Sequence, residues 1–379
     1  VYIVVAGFQA ISIGWIITAL IPGIEGPVLY RSLGTEVHAG TLALGLTGMA
    51  GLTWLNYRGV KGSGRAQYAL VVVLLVMATA FVLTGILRGN VANLQPYFQR
   101  SESGSIWPGV LALFMTASYW FGGFNVIPVM MEERSSATSY SAVGRMIVLS
   151  IVVGVVFKTA VVLSASMTVP WRELMTMNIP AATAFEKAFG SVVLGKVVLL
   201  TALLSLLSTW NAMMVCGSRM LFAMGRSHFI ASWLGEVHPV HGSPANGVLF
   251  TGLAGTAVTL LGRNAILPIV NSSSTCLGIA YVLTCYGVVK LRRSRPDAPR
   301  PSRVPGGMPT VVLALAGSLF AFGLSLYQPW ADAKGKVPLE PVMLAIWIAL
   351  GAVAWIVGGR ARAAFSQVER RRIIVGATE

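Results

Sequence analysis

The sequence has very little charge for its length. Charged residues make up only 11% of the 379 residues, whereas hydrophobic residues make up 55% and the mean hydropathy is +0.73. A soluble domain carries about 25% charged residues, so this chain lacks the polar surface that water requires. Its apolar residues also form runs of about 20 or more, long enough to cross a hydrocarbon core about 30 Å thick. We therefore predict an all-α integral membrane protein.

The sequence also lacks the motifs of a soluble enzyme. Cys216, Cys276 and Cys285 lie inside apolar runs without disulfide or metal spacing, which favours small buried side chains. The segment "GSVVLGKV" resembles a phosphate-binding loop, but Val197 occupies the position of the required Ser or Thr. The histidines have no metal-ligand spacing, and no nucleophile–base pair is visible. We expect no enzyme activity, no cofactor and no metal.

The start of the chain has neither an initiator methionine nor the pattern of a signal peptide. Val1 already belongs to an apolar run, whereas a signal peptide has a basic start, a shorter core and a small-residue cleavage site. We interpret Val1 as a position inside a longer protein and expect further sequence upstream.

Ten membrane spans are predicted from the apolar runs and from the Gly, Pro and charged residues that separate them. They cover residues 1–22, 38–56, 65–88, 107–131, 143–168, 190–217, 245–262, 265–290, 307–328 and 338–358. Alternate loops and the C-terminal tail contain most of the 28 Lys and Arg residues. The positive-inside rule makes that side cytoplasmic, with both chain ends inside a multi-pass protein of the cytoplasmic membrane. The net charge of +15 is therefore spread over short loops, and we expect a lipid bilayer but no nucleic acid as partner.

The fourth span is interrupted in its middle, in the stretch "SYWFGGFNVIPVMMEE". Gly122 and Gly123 weaken the helix, and Pro128 removes a donor and clashes with the carbonyl of Phe124. Irregular backbone is tolerated in lipid only where it lines a cavity or a ligand, so the pattern indicates an unwound substrate segment. Its freed amides can bind a carboxylate and its freed carbonyls an ammonium group. The alternative is a plain kink that lets helices pack closely.

Aromatic and acidic side chains lie beside this break in the fourth span. Phe121 and Phe124 have the right positions to close over a substrate side chain. Glu132 and Glu133 are most simply interpreted as solvated charges at the cytoplasmic exit.

Three other groups of polar residues fall at membrane depth. Small and hydroxyl-bearing residues of the sixth span share one helix face, which indicates either an ion or substrate wall or close helix packing; they are Ser205, Ser208, Thr209, Ala212 and Cys216. Residues 271–275, "NSSST", surround their helix, so we expect some of them to meet water. Lys158 is the unambiguous charge well inside a span, which indicates function unless its long stem reaches a vestibule or the interface.

Four segments, in order along the chain, resemble the amino acid permeases of the amino acid–polyamine–organocation (APC) superfamily. "LNYRGVKGSGRAQ" resembles the link between family helices four and five, and "FGGFNVIPVMMEE" resembles the sixth-helix signature. "SRMLFAMGRSHFIASWLGEVHPVHGSPANGVLFTG" resembles the eighth helix, the following loop and the ninth helix, and "RPDAPRPSRVPGG" resembles the link before the eleventh. Together they cover nearly the whole chain.

The resemblance implies a LeuT-like inverted-repeat fold in a single transmembrane domain, residues 1–379, with ten of twelve helices present and the first two missing. Residues 1–88 then resemble family helices three to five, and residues 107–290 the second repeat, helices six to ten. Residues 307–358 resemble helices eleven and twelve, followed by a cytoplasmic tail at 359–379.

The resemblance also implies site residues. The backbone from Gly122 to Asn125 would bind the substrate amino group, and the missing first family helix would supply most of the contact to the carboxylate. Phe124 would occlude the site, and Leu74 stands where many relatives carry a fifth-helix Lys. Candidate substrate contacts are Trp120, Phe121, Gly122, Gly123, Phe124, Asn125, Asn211, Asn271 and Ser272. Candidate ion-coupling residues are Lys158, Ser205, Ser208 and Thr209.

These observations predict a secondary active transporter that moves an amino acid or a related amine by alternating access, with a coupled proton or sodium ion as a further partner. The lack of an acidic residue deep in a span argues against a polyamine as substrate. The alternatives are a non-transporting truncated remnant and a membrane-embedded transferase.

Overall fold

A computed structural model of the chain describes residues 1–59, 63–100, 104–129, 131, 138–300, 302–333, 335, 337–366, 368 and 369. The first half contains six helices and one hairpin. In order they are α1 (Tyr2–Leu20), β1 (Val28–Ser32), β2 (Thr35–His38), α2 (Ala39–Tyr57), α3 (Ser63–Arg88), α4 (Trp107–Trp120), α5 (Val126–Val129) and α6 (Tyr140–Thr168).

In the second half, the regular secondary-structure elements of the described residues are helices. These are α7 (Trp171–Leu174), α8 (Pro180–Phe189), α9 (Val192–Arg226), α10 (Ala245–Thr259), α11 (Ile266–Ser294), α12 (Gly307–Asp332), α13 (Leu339–Val357) and α14 (Gly359–Ala364). The long helices consist of apolar runs, and polar residues mark their ends. The Ser139 hydroxyl, for example, accepts the amide N–H of Ala142 at 3.2 Å and caps the start of α6.

Seven helices among the described residues are long and apolar enough to cross a membrane. They lie at Tyr2–Leu20, Tyr68–Arg88, Tyr140–Thr168, Val192–Arg226, Arg263–Ser294, Gly307–Asp332 and Leu339–Val357. The other three predicted spans coincide with α2, with the pair α4 and α5, and with α10. Helices α4 and α10 have only 14 and 15 residues. The predicted multi-pass helical architecture is therefore confirmed, whereas α9 continues past the predicted end at residue 217 because no helix breaker follows there.

The strands β1 and β2 form an antiparallel hairpin that the prediction of an all-α chain did not include. Tyr30 and Ser32 donate their hydroxyls to the carbonyls of Leu260 and Leu261, at 2.7 and 2.8 Å. These carbonyls follow the last turn of α10 and have no partner within that helix. Burial raises the pKa of Tyr30, in line with a hydroxyl held against the protein. The hairpin thus acts as a cap for α10.

The chain folds into two compact units that each combine distant segments. Unit 1 contains Val1–Ser63, Thr209–Ser273 and Pro329–Glu379, and unit 2 contains Gly64–Ser208 and Ser274–Gln328. Helices α9, α11 and α12 each contribute residues to both units.

Helices α1, α2 and α10 pack closely in unit 1 because glycines face their neighbours. A β-carbon on Gly45 would lie 2.8 Å from the carbonyl oxygen of Ala10, and one on Gly255 would lie 2.7 Å from the terminal carbon of Met49. Ala10 and Met49 are fully buried. Small residues that allow such backbone contact are the typical interface of helices in lipid, where van der Waals packing drives association.

The C-terminal helices of unit 1 are fixed to the segment that follows α9. Arg362 donates to the carbonyl of Phe229 at 3.0 Å, and its guanidinium carbon lies 3.5 Å from the centre of the Trp355 ring. The rings of His228 and Phe365 stack with centroids 4.1 Å apart. An arginine and stacked rings therefore hold α14 in place.

Aromatic packing and a buried hydroxyl join α3, α6 and α8 in unit 2. The rings of Phe81 and Phe185 stack with centroids 4.1 Å apart, and Phe185 is almost completely buried. The Ser164 hydroxyl donates to the carbonyl of Phe81 at 3.2 Å. This core supports α6, which contains Lys158.

The contact between α1 and α2 yields a test of the fold. We expect Gly45→Val to destabilise the protein by on the order of 1–3 kcal/mol, because the new side chain meets rigid backbone at Ala10. Gly51→Val is the matched control, since a β-carbon on Gly51 in the same helix has nothing within 4 Å. Thermal unfolding and size-exclusion profiles in detergent would measure both. Equal behaviour of the two variants would contradict this packing.

Candidate functional site

The predicted break in the fourth span is present. Helix α4 ends at Trp120, helix α5 begins at Val126, and the five residues between them form turns. Gly123 has φ +118°, a conformation that side-chain-bearing residues rarely adopt, and its amide N–H donates to Oδ1 of Asn125 at 2.9 Å. The break is therefore an unwound turn and more than a kink in a continuous helix.

Some backbone groups of this turn are bonded locally and others are not. The amides of Val126 and Ile127 donate to the carbonyls of Gly123 and Phe124, at 3.0 and 3.2 Å. Among the described residues, the carbonyls of Phe121 and Gly122 accept no backbone hydrogen bond. Polar groups of this kind are costly at membrane depth unless a ligand, water or another segment satisfies them.

An aromatic pair covers the turn within unit 2. The ring of Phe124 stacks on Tyr281 of α11, with centroids 5.7 Å apart and planes inclined by 22°. The Tyr281 hydroxyl is buried and has no hydrogen-bond partner among the described residues. The sequence analysis missed Tyr281, since an isolated Tyr in an apolar span gives no periodic signal. A buried hydroxyl without a partner is unusual enough in a folded protein to make this residue a site candidate.

Lys158 of α6 reaches the same turn. Its ammonium nitrogen lies 5.9 Å from the ring centre of Trp120 and 5.5 Å from that of Phe121. The side chain of Lys158 is exposed, and so is that of Trp120. Lys158, Trp120 and Phe121 therefore lie together at the start of the unwound segment in unit 2.

Asn211 of α9 belongs to unit 1, and its side chain already has a hydrogen-bond partner there. Asn56 of α2 donates from Nδ2 to Oδ1 of Asn211 at 3.0 Å, and also to the carbonyl of Leu52 at 2.8 Å. The neighbouring Trp210 is completely buried. The side chain of Asn211 thus joins α9 to α2, and a substrate role for it stays a prediction.

The expectation that some side chains of residues 271–275 meet water is wrong. All five are buried, with at most 8% of their surface exposed. Asn271 donates to Oε1 of Glu340 on α13 at 2.8 Å, and the Ser272 hydroxyl lies 3.7 Å from the sulfur of Met343. For Asn271 and Ser272 the polar neighbours come from α13, which the sequence did not reveal. Asn271 and Ser272 belong to unit 1, and a substrate role for them stays a prediction.

The hydroxyl-bearing face of α9 is partly buried. Ser205 and Ser208 belong to unit 2, and Thr209 belongs to unit 1. Their predicted role in ion coupling is untested by this geometry. Glu132 and Glu133, predicted to be solvated at the exit of the fourth span, lie outside the described residues. Within the described part of the chain, no group of three or more His, Cys, Asp or Glu side chains is arranged to hold a metal ion.

The contact between Asn56 and Asn211 gives a test that separates structure from substrate binding. We expect Asn56→Ala and Asn211→Ala to lower thermal stability non-additively, with a coupling free energy of about 0.5–1.5 kcal/mol. Thermal unfolding of both single variants and the double variant in detergent measures it. If Asn211 instead binds the substrate, Asn211→Ala will impair ligand binding and Asn56→Ala will not. Additive effects of the two substitutions on stability would contradict the hydrogen-bonded pair.

Comparison with known proteins places the chain in a family. The sequence model of the amino acid permease family matches residues 3–360. The chain is 25% identical over 322 residues to the branched-chain amino acid permease BcaP of Bacillus subtilis, covering 83% of this chain and 63% of that protein. It is 27% identical over 306 residues to the mouse large neutral amino acids transporter small subunit 2, covering 79% of this chain and 54% of that protein.

A further relative is the methylthioribose transporter of Bacillus subtilis, 24% identical over 311 residues, with 82% of this chain and 62% of that protein covered. The chain thus spans less than two thirds of the length of each of these relatives. Permeases are not enzymes, so the family excludes the membrane-embedded transferase considered above. The match over nearly the whole chain confirms the resemblance carried by the four sequence segments, and the chain belongs to the amino acid permease family.

Proposed function

We propose that the protein is a secondary active transporter that moves an amino acid across the cytoplasmic membrane by alternating access. The unwound turn between α4 and α5 is the observation that carries this proposal. Half-helices that meet at an irregular segment are the usual substrate site of secondary transporters, because backbone groups there are free to bind charged ligand groups.

The turn offers groups for the ammonium part of an amino acid. The carbonyls of Phe121 and Gly122 suit a substrate ammonium group, and Gly123 leaves open space, since a β-carbon there would have nothing within 4 Å. Trp120 and Asn125 flank these groups and complete the proposed substrate segment. Within unit 2 the buried hydroxyl of Tyr281 supplies a further polar contact.

An apolar substrate side chain fits the surroundings of the turn. Phe124 and Tyr281 stack there, and Leu277 would lie 3.8 Å from a β-carbon on Gly122. The names of two relatives refer to branched-chain and to large neutral amino acids. We therefore propose a neutral amino acid with an aliphatic or aromatic side chain as substrate.

A coupled proton or sodium ion belongs to the same proposal. Ser205, Ser208 and Thr209 supply hydroxyl oxygens on one face of α9, and oxygen atoms are suitable ligands for a small cation. Uptake measured with sodium replaced by choline, and at several external pH values, distinguishes the two ions.

Uptake tests the role of the turn directly. We expect Gly123→Trp to abolish uptake of labelled leucine, because the bulky residue fills the turn and φ +118° costs a non-glycine residue on the order of 1–3 kcal/mol. Gly109→Trp is the control, since Gly109 lies exposed in α4 with open space around it. Expression of both variants would be compared by immunoblot.

The outcomes have distinct meanings. Normal uptake by Gly123→Trp would remove the turn from the substrate site. No uptake by the unmodified protein would favour the alternative of a non-transporting remnant.

Labelling of introduced cysteines tests the proposed orientation, with both chain ends inside. We expect Glu25→Cys, next to the hairpin, to react with a membrane-impermeant maleimide in intact cells, and Asp297→Cys, between α11 and α12, to react only after permeabilisation. Both positions are exposed. The unmodified protein is the control, and its own cysteines lie within helices. The reverse pattern would invert the topology.

A further inference from the structure

The link from the end of α11 to the start of α12, residues 290–303, is densely basic. Asp297 is its one acidic residue. Its cations are Lys290, Arg292, Arg293, Arg295, Arg300 and Arg303. The ion pairs among the described residues join Arg31 to Glu36 and Lys187 to Glu173, so no cation of the link has a carboxylate partner there. Like charges held this close together repel each other, and a bound anion would relieve that repulsion.

The local structure accounts for only some of these charges. The guanidinium group of Arg300 donates to the carbonyl oxygens of Arg295 and Pro296, at 2.7 and 2.6 Å, and so folds the link back on itself. Arg292 and Arg293 lie in the last turn of α11, where the helix dipole favours positive charge. That effect is confined to the last turn, so it does not explain the cations that follow the helix.

The cations begin where the apolar part of the span ends. The last apolar run of α11 ends at Val289, and Lys290 follows directly. With a rise of 1.5 Å per residue, Arg293 lies about 6 Å beyond Val289 along the helix axis. The headgroup region of one leaflet is about 5–8 Å thick. The end of α11 therefore places its cations at the depth of the lipid headgroups.

The fold holds the link against the start of α6 within unit 2. A β-carbon on Gly144 would meet the hydroxyl of Ser302 and would lie 3.4 Å from the β-carbon of that residue, so the glycine allows the link to pack on α6. Arg145 follows Gly144 in the chain and adds a cation next to this contact. Positive charge from two distant parts of the sequence is thus collected at one end of unit 2.

Apolar side chains accompany the cations of the link. Leu291 stands between Lys290 and Arg292 and is 58% exposed, and Val304 follows Arg303 and is 36% exposed. A ligand that combines negative charge with apolar surface satisfies both kinds of group. A phospholipid has a phosphate group for the cations and acyl chains for the apolar side chains, whereas a free phosphate ion has only the charge.

We propose that the basic link, together with Arg145, binds the headgroup of an anionic phospholipid in the cytoplasmic leaflet. Guanidinium groups suit this ligand because they bind phosphate oxygens in pairs. Clusters of about four to eight Lys and Arg residues next to the cytoplasmic end of a span are typical of anionic-lipid recognition. The choice of leaflet follows from the proposed orientation of the chain, and the binding itself does not depend on transport.

Lipid binding to the purified protein tests the assignment without an uptake assay. Native mass spectrometry in detergent would follow titrations with phosphatidylglycerol and with phosphatidylcholine of identical acyl chains. We expect phosphatidylglycerol to bind at least about fivefold more tightly, because the choline group balances the phosphate charge of phosphatidylcholine. The preference should fall when ammonium acetate is raised to about 1 M, where the Debye length is about 3 Å.

A triple variant locates this preference in the link. We expect Lys290→Gln, Arg293→Gln and Arg295→Gln together to weaken the binding of phosphatidylglycerol by at least about tenfold, and to leave phosphatidylcholine unchanged. All three positions are exposed. Thermal unfolding in detergent would verify that the variant is folded.

The matched control removes the same number of charges from other exposed positions of unit 2. It combines Arg88→Gln, Arg100→Gln and Lys196→Gln, and we expect it to keep the preference for phosphatidylglycerol. Like the triple variant of the link, it loses one lysine and two arginines. The comparison therefore separates the position of the charges from the net charge of the protein.

Each outcome decides for or against the assignment. Equal binding of the two lipids by the unmodified protein overturns it without the use of any variant. An equal loss in the triple variant and in the control also overturns it, because net charge would then be the cause. Displacement of phosphatidylglycerol by an equal concentration of inorganic phosphate would identify a site for a free anion instead. If the triple variant unfolds, the single variants Arg293→Gln and Arg295→Gln decide in the same way.

Discussion

The backbone of a chain in lipid has to satisfy its own hydrogen bonds, and most features of this structure depend on that constraint. An unpaired amide or carbonyl costs several kcal/mol in hydrocarbon, which is why the spans are long, regular helices. Where α10 ends, the hydroxyls of Tyr30 and Ser32 satisfy carbonyls that the helix leaves open. The turn between α4 and α5 is an exception, because the carbonyls of Phe121 and Gly122 have no backbone hydrogen-bond partner among the described residues.

Different types of residue pack the helices in the two units. In unit 1 the backbone of Gly45 lies against the carbonyl of Ala10, and the side chain of Met49 packs on Gly255. Such interfaces gain stability from many close van der Waals contacts and tolerate few substitutions. The described core of unit 2 includes stacked phenylalanines, such as Phe81 on Phe185, and aromatic residues also cover its unwound turn.

Aromatic faces accompany several cations of the chain. Arg263 lies 3.9 Å from the ring centre of Trp15, and Arg362 lies 3.5 Å from that of Trp355. Both arginines are located beyond or at the ends of apolar helices, where a guanidinium group reaches water or carbonyl oxygens, as Arg362 does at Phe229. Lys158 differs because it lies inside α6 and farther from its rings. A guanidinium group at a helix end keeps access to water beside its ring, whereas the ammonium group of a lysine inside a span lies at membrane depth, where a charge is costly.

The sequence by itself determined the class of the protein, the positions of its helices and the location of the break. Run length, scarcity of charge and the pair Gly122–Gly123 are local properties, and the hydrocarbon solvent translates them directly into structure. Tertiary structure decided which polar residues have partners already. It joined Asn211 to Asn56, bonded Asn271 to Glu340 of α13, and placed Tyr281 over Phe124. The hairpin that caps α10 was equally invisible, since its partners lie more than 200 positions away in the chain. A sequence shows that a polar group is at membrane depth, but only the packing of distant helices shows whether that group is satisfied or still free for a ligand.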